Sequence, residues 1–342
     1  MWWRASRVVF TVALLSPLAS LGGPTSTGPV ATTPHFVFYS DFDTNLNDAL
    51  IAAGKARTNE RPELFHGGEE KACFHALAPS ARAGWNLAVD FYEEIISPSE
   101  WGDRPQVVIR YELANLEGRD DERARRFAHT VRGLRLAASQ AYADCRWKTQ
   151  DAENRSWIED LTPKLEKHAA KISPRLEKAY AMAWHGLPIR VDVVQHAPPV
   201  GASTWILEPG GHILISTGVT REESLETVFH EASHTLMAPW RPDPVPKALD
   251  HAVNEAKVEA IRDLWHVVLF YTTGDVVRGV LEEAGEPGYT PYVYAHDLWQ
   301  GRWGPYRNPI EDAWPDYMKG EKTLAEAARD LANAIAKGEA TR

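Results

Sequence analysis

His230-Glu231-Ala232-Ser233-His234 is the stretch of this chain best equipped to do chemistry. On a helix its two histidines stand one turn apart and project from the same face, so both imidazoles can hold one Zn2+. Glu231 lies between them, beside the metal's open position. A carboxylate there can take a proton from a water and later deliver it to a leaving amine. Zinc also needs a third protein ligand, and the chain offers several. His266 sits inside Leu264-Trp265-His266-Val267-Val268-Leu269-Phe270-Tyr271, an almost wholly apolar run. A histidine there loses its water and needs a partner, which is either a metal or a backbone carbonyl. Glu255 is the other main candidate, with Glu259 in reserve; on an exposed acidic stretch the same residues are simply solvated charges. Along one straight helix Glu255 and His266 would lie about 16 Å apart at about 1.5 Å per residue, so one ion can take only one of them.

These side chains have to be positioned by a helix and by whatever precedes it. Thr220 and Glu223 form a Thr-x-x-Glu capping box, and Leu225, Val228, Phe229, Ala232 and Leu236 behind them make an apolar helical face that Pro239 ends. Upstream, Ile189–Val193 alternates as a half-buried strand should. Ser203–Leu207 and His212–Ser216 read as two further strands joined by a turn at Pro209-Gly210-Gly211.

A small sheet leading into an HExxH helix resembles the zincin metallopeptidases, over roughly residues 187–300. The resemblance implies zinc, hydrolysis of a peptide bond, an edge strand that pairs with an extended substrate, and a later helix carrying the third ligand. The metzincin pattern is excluded, because Met237 stands where its glycine belongs and Trp240 where its third histidine belongs. The gluzincin pattern puts the third ligand in an Asn-Glu pair, which Asn254-Glu255 supplies at close to the expected distance from His234. There an Asp one turn later orients the first histidine, and here that position is Glu259. A shifted register, with Glu259 as ligand and Asp263 behind it, also fits. Such enzymes commonly stabilise the oxyanion with a Tyr or His from the C-terminal lobe. Tyr292, Tyr294 and His296 are available, and Tyr292, fixed by Pro291, is the first choice.

The rest of the chain sets the context. At 342 residues, 44% hydrophobic and 25% charged, it can build a sizeable core. Its net charge of −10, with no Lys/Arg-rich run, argues against a nucleic-acid partner. Arg4 and Arg7 followed by the apolar run Val8–Leu18 and then by small residues form an export signal too short to be a permanent membrane span. Cys73 and Cys145 are the only cysteines, and in an exported protein they are expected to pair. His35–Phe42 reads as a strand, and Leu46–Lys55 as a helix capped by Asp43 or Thr44. Helices are also predicted over 79–97, 120–147 and 156–184, the last interrupted at Pro163 and Pro174, and Val107–Ile109 is ambiguous. Asn154-Arg155-Ser156 is a glycosylation sequon.

The expected fold is α+β and mostly helical, with a small antiparallel sheet before the HExxH helix and a helical C-terminal lobe. The expected division is a signal peptide (1–22), a flexible leader (23–33), a mainly helical region (34–185) and a zincin-like metal-binding catalytic region (186–342). The expected activity is that of a zinc metallopeptidase, periplasmic or secreted, acting on a peptide or protein substrate. The alternative is a zincin-derived envelope binding or scaffold protein with little or no catalysis.

Overall fold

A computed structural model describes residues 28–58, 68–99, 103–114, 122–184, 188–197, 201–207, 210–239, 241–259 and 262–340. The expected signal peptide, leader residues 23–27 and Trp240 lie outside these residues.

The fold is α+β. Five strands make one sheet: β1 (Ala31–Thr32), β2 (Phe36–Tyr39), β3 (Ile189–Val194), β4 (Ala202–Leu207) and β5 (Gly210–Ser216), in the order β1-β2-β3-β5-β4. The sheet is mixed, which corrects the antiparallel expectation. β2, β3 and β5 run parallel, and antiparallel β1 and β4 close the two edges. The β4–β5 hairpin was legible as a local feature. The parallel β2–β3 pair was not, because parallel strands are joined by a crossover and this one runs through all the residues between Tyr39 and Ile189. The end of the expected leader is itself sheet: Ala31 and Thr32 pair with Phe38 and Val37, and Val30 N–H donates to Phe38 O at 2.8 Å.

That crossover holds α1 (Phe42–Thr58), α2 (Gly68–Ala76), α3 (Pro79–Phe91), α4 (Arg104–Leu113), α5 (Glu122–Tyr142) and α6 (Lys148–Tyr180). A π-helical turn, Ala143–Trp147, joins α5 to α6, so the chain is helical without a break from Glu122 to Tyr180. Pro163 and Pro174 do not interrupt it. Each costs about 3 kcal/mol inside a helix. Around them α6 buries Trp157, Ile158, Leu161, Leu165, Ile172, Leu176 and Tyr180, and a buried large apolar side chain contributes about 1.5–3 kcal/mol. α1 is capped by Asp41 rather than by Asp43 or Thr44: the Asp41 carboxylate accepts both the Thr44 N–H and the Thr44 hydroxyl at 2.8 Å. Val107–Ile109 resolves as part of α4.

After the sheet come α7 (Ser224–Ser233), α8 (Pro244–Ala256), α9 (Leu264–Glu283), α10 (Tyr292–Ala295), α11 (Arg307–Ala313), α12 (Pro315–Lys319) and α13 (Leu324–Ala340). Among the described residues no helix is long and apolar enough to cross a membrane.

Two main cores result. One face of the sheet, with Phe36, Phe38, Val191, Val193, Ile213 and Ile215, packs with α6, α7, α9 and α13. α1, α3 and α5 surround a separate core of Leu46, Leu50, Trp85, Tyr92, Val131 and Tyr142. The first core draws on both sides of residue 186, because β2 and α6 belong to it with β3, β5, α7, α8, α9, α11 and α13. The helical lobe is thus an insertion in the β2–β3 crossover. Asn154 fastens its two chain crossings together, donating to Ser40 Oγ at 3.1 Å and to Asn45 Oδ1 at 3.2 Å. Asn154 is completely buried with its amide committed, so its sequon offers no acceptor in the folded chain.

Candidate metal centre

α7 carries the first motif histidine and leads directly to the second, and its start is held by the Thr220–Glu223 pair that the sequence predicts. The Glu223 N–H donates to Thr220 Oγ1 at 3.3 Å, and the Thr220 hydroxyl donates to the Glu223 carboxylate at 2.8 Å. Every residue of α7 is buried, so the helix is a central element rather than an amphipathic surface one. His234 follows directly, still in helical conformation.

His266, on the first turn of α9, meets them. The three residues can each offer one ligand atom, all within 4.8 Å of one another, as a group that could hold a metal ion. Nε2 of His230 and Nε2 of His266 are 3.3 Å apart. The rings also touch edge and face: centroids are 5.1 Å apart for His230–His234 and for His234–His266, and 5.4 Å for His230–His266. Burial holds all three imidazoles neutral. It drives His230 well below its usual value, helped by its two neighbours, His234 down to about 3, and His266 down to about 4 against the pull of Asp263. Neutral rings with converging lone pairs are the form that ligates a metal.

Glu255 is not part of this group. It ends α8 with its side chain 54% exposed, 3.4 Å from His251. Glu259 is exposed as well. The continuous helix assumed for residues 255–266 does not exist: α8 stops at Ala256, Lys257 turns left-handed at φ 54°, and α9 begins at Leu264.

Glu231 is buried beside the histidines. The Thr204 hydroxyl of β4 lies 2.7 Å from both its carboxylate and its backbone carbonyl. Burial lifts the Glu231 carboxyl to about 7, against the Thr204 hydrogen bond. Tyr292 faces the same cavity, its ring stacked on Phe270 at 5.8 Å and on His296 at 4.0 Å. Tyr294 turns away to hydrogen-bond Glu311 at 2.7 Å, and His296 pairs with Glu223 at 2.5 Å.

The cavity measures about 330 Å³. Its apolar wall includes Ala202, Val219, Phe270, Leu298 and Trp303, and Asp263 and Arg302 form an ion pair on its lining at 2.5 Å. A larger groove of about 1030 Å³ lies between the start of α6 and the ends of β3 and β5. Lys148, Glu153, His196 and Arg221 line it, and among the described residues the candidate metal-ligand group belongs to the smaller cavity instead.

Sequence reasoning missed Thr204, Glu226, Phe270 and Trp303. Glu226 had a signal, one helical turn before His230 on the same face. Thr204 and Trp303 had none, because they arrive by tertiary packing. The chain matches no protein-family profile, no curated protein and no solved structure.

Proposed function

We propose that this protein is a zinc-dependent hydrolase of zincin type, a metallopeptidase that cleaves peptide bonds. The observation that carries this reading is the convergence of His230, His234 and His266 on one point beside the buried carboxylate of Glu231. The donor set fits zinc: nitrogen ligands at about 2.0–2.1 Å in a tetrahedron stand about 3.3–3.4 Å apart, and the Nε2 atoms of His230 and His266 are 3.3 Å apart. Three imidazoles are a poor match for Mg2+ or Ca2+, which prefer oxygen.

When bound, zinc would polarise the scissile carbonyl and acidify the attacking water. The protein's own groups do the rest. Glu231, poised near 7, takes the proton of the attacking water and returns it to the leaving amine. Thr204 fixes which way that carboxylate points. Tyr292 offers its phenol to the oxygen on which charge develops. An extended substrate lies along the edge strand β4, whose Ala202 reaches the cavity wall. Export of the chain agrees with the Cys73–Cys145 disulfide.

Elemental analysis and casein cleavage test the reading together. About one zinc per chain is expected, lost in His230→Ala, His234→Ala and His266→Ala and kept in Glu255→Ala. Glu231→Gln should keep zinc and lose on the order of a hundredfold or more in rate. Full metal retention in all the histidine variants rejects the site. Metal bound with no turnover by the wild type returns the scaffold alternative.

A further inference from the structure

Glu226 is a buried acid that the proposed chemistry does not use. It stands one turn before His230 on α7 and is 1% exposed. Its Oε2 accepts two hydrogen bonds from the segment beyond α9, from the Tyr289 hydroxyl at 2.6 Å and from the Tyr292 backbone N–H at 3.0 Å. Its Oε1 has no hydrogen-bond partner among the described residues and lies against α9 at Gly274. A Cβ built on Gly274 would sit 3.0 Å from that oxygen and 2.7 Å from Pro291 Cβ, so a side chain there would crowd the knot. α7, α9 and the Tyr289–Tyr292 segment thus close on one carboxylate.

The knot decides where Tyr292 can be. Its backbone nitrogen is fixed to Glu226, its ring is sandwiched between Phe270 and His296, and His296 is tied back to α7 through Glu223. The helix that supplies two metal-group histidines and the candidate base therefore also sets the phenol opposite them. We propose that Glu226 is a positioning residue that places Tyr292 over the metal centre. The assignment rests on the hydrolytic reading for its purpose, but not for its geometry.

The test has two arms. In metal-free protein, amide hydrogen exchange followed by NMR reads the geometry alone. Glu226→Ala should speed exchange at the Tyr292 amide by tenfold or more and leave the α9 amide of Val268 unchanged. Glu226→Gln should restore protection, because one amide oxygen can accept both bonds. Tyr289→Phe, a milder change, should leave the Tyr292 amide slow. Unchanged exchange at Tyr292 in Glu226→Ala, or equal acceleration throughout α7 and α9, overturns the proposal.

In zinc-loaded protein, calorimetry with acetohydroxamate reads the purpose. Glu226→Ala and Tyr292→Phe should each weaken binding about five- to tenfold, and the double variant should be no weaker than either single one. Multiplying losses would make the two residues independent and overturn the assignment. A wild type that takes up no zinc sinks the hydrolase reading instead, while the exchange arm still decides the position of Tyr292.

Discussion

Burial at the centre works on histidines and carboxylates in opposite directions, and the two can be separated by pH. His234 and His266 titrate in the folded state at about 3 and 4, against about 6.5 unfolded. Between these limits the unfolded chain binds protons that the folded chain refuses, so the stability they contribute is present above 6.5 and lost as pH falls toward 4. Glu226 and Glu231 are raised to about 7, so over nearly the same window the folded chain holds protons that the unfolded chain has released. Their burial costs stability as pH rises from about 4.5 to 7. The two effects oppose each other in metal-free wild type. A Glu226→Gln/Glu231→Gln variant should therefore lose urea stability more steeply than wild type as pH drops from 7 to 4. Urea midpoints measured across that range check this, and parallel curves would show that the carboxyls are not held neutral by burial. At this scale the sequence was most legible where spacing alone specifies geometry, as for His230, Glu231 and His234. His266 was legible as an unexplained histidine in an apolar run, whereas Glu255 followed a local pattern that α8 carries away from the site. Thr204 could not be read, because only the placement of β4 against α7 makes it a partner of Glu231.

Helix packing in the inserted lobe depends on close approach at one glycine. A Cβ on Gly84 of α3 would lie 2.2 Å from the backbone oxygen of Ala137 in α5, too close for any side-chain adjustment to relieve. Gly84→Ala should therefore push the two helices apart and cost about 1–3 kcal/mol. Gly133, also in α5, has nothing within 4 Å of the same position. Gly133→Ala should stabilise by about 0.5–1 kcal/mol through helix propensity. Thermal melts of the pair decide it: equal shifts would mean that α3 and α5 do not cross at Gly84. The helices themselves were mostly legible from their apolar stripes. Pro163 and Pro174 misled because proline's local penalty is visible in sequence, while the stripe of α6 that outweighs it becomes visible only when both of its flanks are buried.

The inserted lobe and the metal-centre lobe share a chain but not a core, and a disulfide secures the outer one. Cys73 and Cys145 are bonded, as the pair of lone cysteines predicted. α2 contains no buried residue, and besides Cys73 it reaches α5–α6 through Glu70, which accepts from Arg146 at 2.7 Å. The bond closes a loop with a sequence separation of 72, for which the chain-entropy view gives about 4 kcal/mol. Reduction should lower the melting temperature of the inserted lobe while leaving zinc content unchanged. Calorimetric scans with and without dithiothreitol, beside metal analysis, read both outcomes; loss of zinc on reduction would mean that the lobes unfold as one. The insertion itself was illegible, because a strand at residue 36 and its neighbour at 189 announce nothing about each other. The unbroken helical column from Glu122 to Tyr180, with a contour of about 90 Å at about 1.5 Å per residue, has a mechanical meaning. It runs without an intervening loop, through the π-helical turn that carries Cys145 and on past Pro163. A pull on α2 enters it through the disulfide at Cys145, and farther along Trp157 donates to the Val219 carbonyl and Lys164 to the Arg221 carbonyl, just ahead of α7. Load on the outer lobe would therefore reach the loop ahead of His230 along a helix rather than through a loose tether, with the π-helical turn and Pro163 as the places where it can bend.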